Sequence, residues 1–496
     1  MAGTEPDGGV PAGDPRPPAI DPDYAGVTLP PNIAPLNFRV LEPGTGYRVT
    51  LSSTRGSAVE VETGSPEIVI PLAPWQELLR QNRGEPLRVE VEVLDPAGQW
   101  RRFAPLQSTI AVEEIDRYLV YRLLRPLYNK YLNLGIYQRD LASYEQTAVL
   151  ENRDADQACL NCHTFAQNRP YPMVLHTRGA HGLTMLLARG GEVSTVDTRT
   201  SFNASPAAYT SWHPSERLVA FSVNKLSLFF HTAGETRDVF DGASDLAIYW
   251  LDGNELTTTA EISRPDSLET WPSWSPDGRT LYFCRAPRLP VERFREVRYD
   301  LVRIPFDVET RAWGQLETVL TAGQTGLSIN QPRVSPDGRF LLCTMAAYGN
   351  FPVFLPSSDL YLLDLQTGQY RRLEINSDRT DSWHSWSSNG RWIVFSSKRR
   401  DGLFTRPYLS YFDRDGEAHK PLLLPQQDPR FYDSFVRNYN LPELITGPVE
   451  VESRQLARAV YAPARVLKAN LDPRLAAPAD ADTGSVREPY SAPARP

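Results

Sequence analysis

The sequence predicts a mainly β protein: an N-terminal β-sandwich, a helical linker and a β-propeller. Three observations predict this. A turn-and-strand pattern recurs through the second half of the chain. An earlier stretch alternates apolar and polar residues with period two. Between them stands Cys159-Leu160-Asn161-Cys162-His163, the attachment signature of a c-type haem.

The repeat is read from its turns. Trp212-His213-Pro214-Ser215-Glu216-Arg217 lines up with Trp274-Ser275-Pro276-Asp277-Gly278-Arg279. Val334-Ser335-Pro336-Asp337-Gly338-Arg339 and Trp386-Ser387-Ser388-Asn389-Gly390-Arg391 follow, at spacings of 62, 60 and 52 residues. Pro-Asp-Gly and Asn-Gly close tight turns, and alternating strands such as Arg279 to Phe283 follow them. A second shared strand appears at Asp245–Tyr249, Asp300–Ile304 and Asp359–Leu363. A β unit recurring every 50–60 residues cannot bury both faces alone, whereas a ring of such units can. Four copies are clear, and residues 171–200 supply strands for another. Ring closure then needs strands from elsewhere, with 430–450 a candidate.

Residues 1–30 are rich in Pro, Gly and Asp and read as a disordered spacer. Residues 31–112 read as an Ig-like β-sandwich, with Leu87 to Val93 its clearest strand and Ala73 to Gln81 a short helix. From 113 to 170 the reading is a helical segment followed by an irregular haem-binding segment. Ile115, Tyr118, Leu119, Arg122 and Leu123 fall on helical spacing, and Pro126 interrupts. The propeller is assigned to 171–440. Residues 441–496 form a tail with a short helix over Glu452 to Tyr461 and a disordered Ala/Pro-rich end.

With only 4 Cys and 7 His in 496 residues, a chance C-x-x-C-H is expected in roughly one chain in two thousand. Cys159 and Cys162 would hold haem c through thioethers, and His163 would bind the iron. Candidate sixth ligands are Met173, His176 and His181. A competing reading is zinc at Cys159, Cys162, His176 and His181, which spell C-x2-C-x13-H-x4-H. Pro170, Pro172, Gly179 and Gly182 argue against a helix under that histidine pair. Cys284 and Cys343 sit in strand-like runs and read as core residues.

A net charge of -8 excludes a general nucleic-acid or anionic-membrane binder. No apolar run reaches transmembrane length. Met1 to Pro18 lacks the basic and apolar regions of a signal peptide. Haem attachment implies export, so the expected location is the periplasm or cell envelope, behind a leader removed or lost to a miscalled start.

The W-S-P-D-G-R turns resemble those of TolB-like propellers over about 170–440, which implies six blades. Together with Cys159, Cys162 and His163, they resemble the propeller-bearing middle region of hydrazine synthase alpha-type subunits over about 150–440. That resemblance implies an exported haem protein in a redox complex. It does not carry the synthase activity, because those subunits have a second haem domain and this chain has no second C-x-x-C-H. Three functions follow. One is a mono-haem electron carrier with an envelope redox partner. Another is a haem enzyme acting on a small nitrogen or oxygen species. The third is an interaction propeller holding structural zinc.

Overall fold

The structure is a computed structural model, and it describes residues 14–125, 133–179, 182–203, 207–229 and 238–475. Its main body is a β-propeller, built on strands that share one local device. These are Cys159–Phe165, Ala207–Trp212, Ser267–Trp274, Ser328–Val334, Asp381–Trp386 and Asn438–Ile445. Each slips register against its antiparallel neighbour at the same place, for example between Leu160 and His163, Ala208 and Ser211, or Ser382 and Ser385. A bulge of this kind bends the strand and re-aims its side chains. Tyr209, Trp271, Gln331, Trp383 and Leu441 have positive φ at the bulge.

From each of these strands a sheet runs outward. Ser328–Val334 leads to Phe340–Ala346, Asp359–Asp364 and Tyr370–Arg372; Asp381–Trp386 leads to Trp392–Ser397, Arg406–Tyr411 and Leu422–Leu423. The sheets that begin at Ala207 and Ser267 touch through a parallel bridge, Ser244 to Leu268.

The repeat turns are held by their own side chains. Ser275 Oγ donates to Asp277 Oδ1 at 2.6 Å and accepts from the Thr280 N–H at 3.0 Å. Asp277 Oδ1 also accepts from the Arg279 N–H at 3.0 Å. Ser335 with Asp337, and Ser387 with Asn389, repeat this pattern. Gly278 is required twice: its φ is +71°, and a Cβ there would lie 2.4 Å from His213 Nε2.

Ring closure departs from the sequence reading. Tyr118–Leu124 and Gly135–Asp140 are strands, not a helix. Tyr118–Leu124 lies between Gly135–Asp140 and Asn438–Ile445 and pairs antiparallel with both. Leu119, Val120, Tyr121 and Leu123 are all buried. Apolar residues on both faces of an interior strand gave the spacing that imitated a helix. The propeller therefore takes strands from 118 to 445 rather than 171 to 440, and 441–445 belongs to it. The C-x-x-C-H segment is likewise a strand, Cys159–Phe165, not an irregular stretch.

The N-terminal unit has two sheets. A six-stranded one contains Gly46–Ser52, Val59–Thr63, Pro86–Leu94 and Leu106–Ile110; a three-stranded one contains Ile20–Asp21, Phe38–Val40 and Glu67–Ile68. Helix Leu72–Gln81, close to the expected span, buries Trp75, Leu78 and Leu79. Residues 14–30 belong to this unit rather than to a disordered spacer: Arg16 pairs with buried Glu42 at 2.6 Å, and Asp21 pairs with Arg39 and Arg400. The disorder expected for 1–13 and for the end of the tail falls outside the described residues. Helix Ser453–Tyr461, expected from 452, packs Leu456, Ala457, Ala459 and Val460 against the propeller.

One core runs from the N-terminal unit into the propeller, joining Trp75 and Leu79 to Trp392 and Phe412. Beside it the Arg406 guanidinium is buried, donating to the Arg437 carbonyl at 2.6 Å and the Phe435 carbonyl at 2.5 Å. Tyr432, Phe404 and Phe435 surround it. Arg406→Ala would orphan both carbonyls and leave a cavity. It should cost about 3–5 kcal/mol in urea unfolding; a loss under ~1 kcal/mol would show that the guanidinium adds nothing net.

Candidate functional site in the propeller channel

The shared bulge aligns the inner strands residue by residue. Cys162 stands level with Thr210, Pro272, Pro332, His384 and Pro442. The next level is His163, Ser211, Ser273, Arg333, Ser385 and Glu443. The C-x-x-C-H therefore lies in the channel wall.

Cys162, His163, Tyr209, Trp271, Gln331, Arg333, Trp383 and His384 are among the residues that wall a chamber of about 30 Å³. Tyr209 stacks on Trp271 at 3.6 Å between ring centroids, and Trp383 meets Trp271 edge-on at 5.2 Å. His163 is 2 % exposed, and neither ring nitrogen makes a well-formed hydrogen bond, although the backbone of Val120 and Leu441 lies close enough to act on the ring. Burial, reinforced by the positive charge of Arg122, pushes its pKa down to about 3; the backbone at Val120 and Leu441 opposes this weakly. The imidazole is therefore neutral, the form that binds a metal. Arg122 donates to the Leu160 carbonyl and to Asn161 Oδ1, which pins the strand from the neighbouring sheet.

A wider funnel of about 290 Å³ lies beyond Arg333, walled by Phe165, Ser211, Trp212, Trp274, Ser385, Trp386 and Glu443 among others. Arg333 borders both spaces and stands 3.8 Å from Glu443. Burial pushes Glu443 up to about 7 against the pull of Arg333. Asn168 bridges strands across the funnel, donating to the carbonyls of Trp386 and Leu444.

Of the other expected site residues, Cys159 and Met173 lie away from the chamber, whereas His176 lies across the bulge from Cys162. Cys159 sits in the apolar core with Val120, Ile136, Met173 and Leu175, whereas Cys162 sits in the channel cluster with Tyr209 and Trp271. Met173 is opposite Phe165 in that same core, away from the chamber. His176 is buried and its Nδ1 lies 3.3 Å from Thr210 Oγ1. His181 lies outside the described residues. Among the described residues no three of His, Cys, Asp and Glu are grouped to hold a metal ion. His213 and His384 have structural partners: His213 bonds Ser215 and the Gly278 carbonyl, and His384 Nε2 donates to the Leu342 carbonyl.

The fit to a haem is divided. His163 and Cys162 suit it, with a neutral imidazole and a thiol on one aromatic-lined space. Cys159 points its contacts elsewhere, and a chamber the size of one water cannot hold a macrocycle. Attachment would need the strand to turn Cys159 toward the channel and the aromatic wall to open.

Sequence reasoning missed that the motif opens a propeller repeat. Thr164-Phe165-Ala166-Gln167-Asn168-Arg169 occupies the place of Trp274-Ser275-Pro276-Asp277-Gly278-Arg279. Asn168 adopts the positive φ that Gly278 has in such a turn. Asn168-Arg169, standing for Gly-Arg, was the available signal.

The channel and radiating sheets define the class, a β-propeller with a buried histidine–thiol site. No family description matches the chain, and no curated protein matches it. Solved structures similar to it include a nidogen/laminin complex, with 9% identity, TM-score 0.37, and coverage of 62% of this chain and 92% of that one. The Dos1 propeller follows at 12% identity and TM-score 0.33, covering 55% and 67%. An oligogalacturonate lyase in complex with manganese has 13% identity and TM-score 0.31, covering 76% and 99%.

Proposed function

We propose that the chain is a six-bladed, TolB-like propeller with an Ig-like N-terminal sandwich, exported to the cell envelope. On this reading it carries one haem c through Cys159 and Cys162 and passes single electrons to a protein partner. The observation that supports this is His163, buried beside Cys162 with no well-formed hydrogen bond at either ring nitrogen. A buried polar group without a well-formed hydrogen bond is costly, and a metal ligand in waiting accounts for it. When bound, the haem would supply one-electron chemistry. The chain's own residues would exclude water through Tyr209, Trp271 and Trp383, and hold the His163 ring in place. The six-bladed count rests on the six bulged inner strands. The resemblance to hydrazine synthase alpha-type subunits supports an envelope redox complex.

The test is expression with a periplasmic leader and c-type maturation machinery, followed by a pyridine haemochrome spectrum. Two thioethers are expected, and Cys159→Ala should remove that form. A low-spin reduced spectrum would favour the electron carrier; a high-spin one would favour a haem enzyme acting on a small nitrogen or oxygen species. A second reading, an interaction propeller without haem, is favoured by the 30 Å³ chamber. A haem-free product would carry that reading. About one equivalent of zinc, lost in Cys162→Ala, would add the structural metal.

A further inference from the structure

We propose that the chamber binds one small inorganic anion, held by Gln331 and Trp383 with Arg333 supplying the charge. Gln331 is 4 % exposed, and its orientation is fixed by its oxygen. Gln331 Oε1 accepts from the Trp383 backbone N–H at 3.0 Å and from Thr344 Oγ1 at 3.1 Å. That leaves its amide Nε2 as a buried donor without a partner. Trp383 is buried as well, and its indole Nε1–H is also unpartnered. Both residues wall the same chamber.

The charge of the lining is one-sided, although the neutral His163 ring carries one acceptor nitrogen. An amide N–H and an indole N–H are donors only, Arg333 is cationic, and no carboxylate lines the chamber among the described residues. Glu443 meets Arg333 from the funnel side, at 3.8 Å, too far for a close bidentate pair. A water could use the His163 acceptor together with these donors, whereas the Arg333 charge favours an anion. A volume of about 30 Å³ admits a ligand about the size of one water, such as a halide. The inference does not rest on the haem reading, because Gln331 and Trp383 stand on strands other than the C-x-x-C-H strand.

The test is bromide soaked into crystals of the full chain, with anomalous scattering, beside a bromide titration of tryptophan fluorescence in solution. One anomalous peak is expected between Gln331 and Trp383, with a saturable fluorescence change. Trp383→Phe keeps the ring and removes the N–H. It should weaken bromide about tenfold, the usual worth of a hydrogen bond to a charged group. Circular dichroism on the variant checks that it folds, and Gln331→Met gives the second reading if it does not. An ordered water in the chamber with no anomalous signal would overturn the proposal. So would bromide binding that neither substitution weakens. Haem content, read on the same sample, reports on the other reading separately.

Discussion

Truncation after Arg437 will abolish the cooperative fold. The lost strand, Asn438–Ile445, is the inner member of the sheet that joins the two ends of the propeller, pairing with Tyr118–Leu124. Tyr439, Leu441, Leu444 and Ile445 are all buried. At about 1.5–3 kcal/mol for each such side chain, their loss alone approaches the whole stability of an ordinary domain, about 5–15 kcal/mol. The cut would also bare the backbone edge of Tyr118–Leu124. Truncation after Pro463 is the control. It removes Val466–Lys468 and Asn470–Leu471, which add only short parallel edges to two sheets. Circular dichroism melts should show no cooperative transition for the first truncation and a modest shift for the second. Equal melts would refute closure through Asn438–Ile445.

Stability should be greatest between about pH 4.5 and 6.5 and fall on both sides. Burial pushes the pKa of His163, His176 and His384 down to about 3. It pushes three carboxyls up, Asp241 and Glu443 to about 7 and Glu269 to about 8. The positive charges of Arg285 and Arg333 oppose the rise at Glu269 and Glu443 without cancelling it. Unfolding returns the histidines to 6.5 and the carboxyls to 3.8–4.5. Below pH 4.5 the unfolded chain therefore holds up to three extra protons on histidine, and stability drops as pH falls. The slope approaches about 4 kcal/mol per pH unit for three protons. Between 4.5 and 6.5 those three protons are balanced by three that the folded carboxyls retain, and the profile flattens. From 6.5 to about 8 the carboxyls act alone, and stability drops as pH rises. Urea unfolding from pH 3.5 to 9 checks this, and Glu269→Gln should flatten the alkaline limb. A profile still rising between pH 6.5 and 8 would sink the assignment of neutral buried carboxyls.

The chain's sequence by itself determined its β character and the repeat. Pro-Asp-Gly and Asn-Gly turns are local, since Ser275, Asp277 and Gly278 satisfy one another within six residues. So is the alternation that built the strands around Leu87 to Val93, and so is the helix over Leu72–Gln81. Only the tertiary structure decided the rest. Tyr118–Leu124 became a strand because a partner more than three hundred residues away pairs with its edge while separate cores cover its two faces. Cys159 and Cys162, three residues apart, parted into two cores because a bulge lies between them. The zinc spacing of Cys159, Cys162, His176 and His181 described distance along the chain. The register of neighbouring strands set distance in space. The donors of Gln331 and Trp383 carry no motif at all, because only the packing of neighbouring sheets brings them to one chamber.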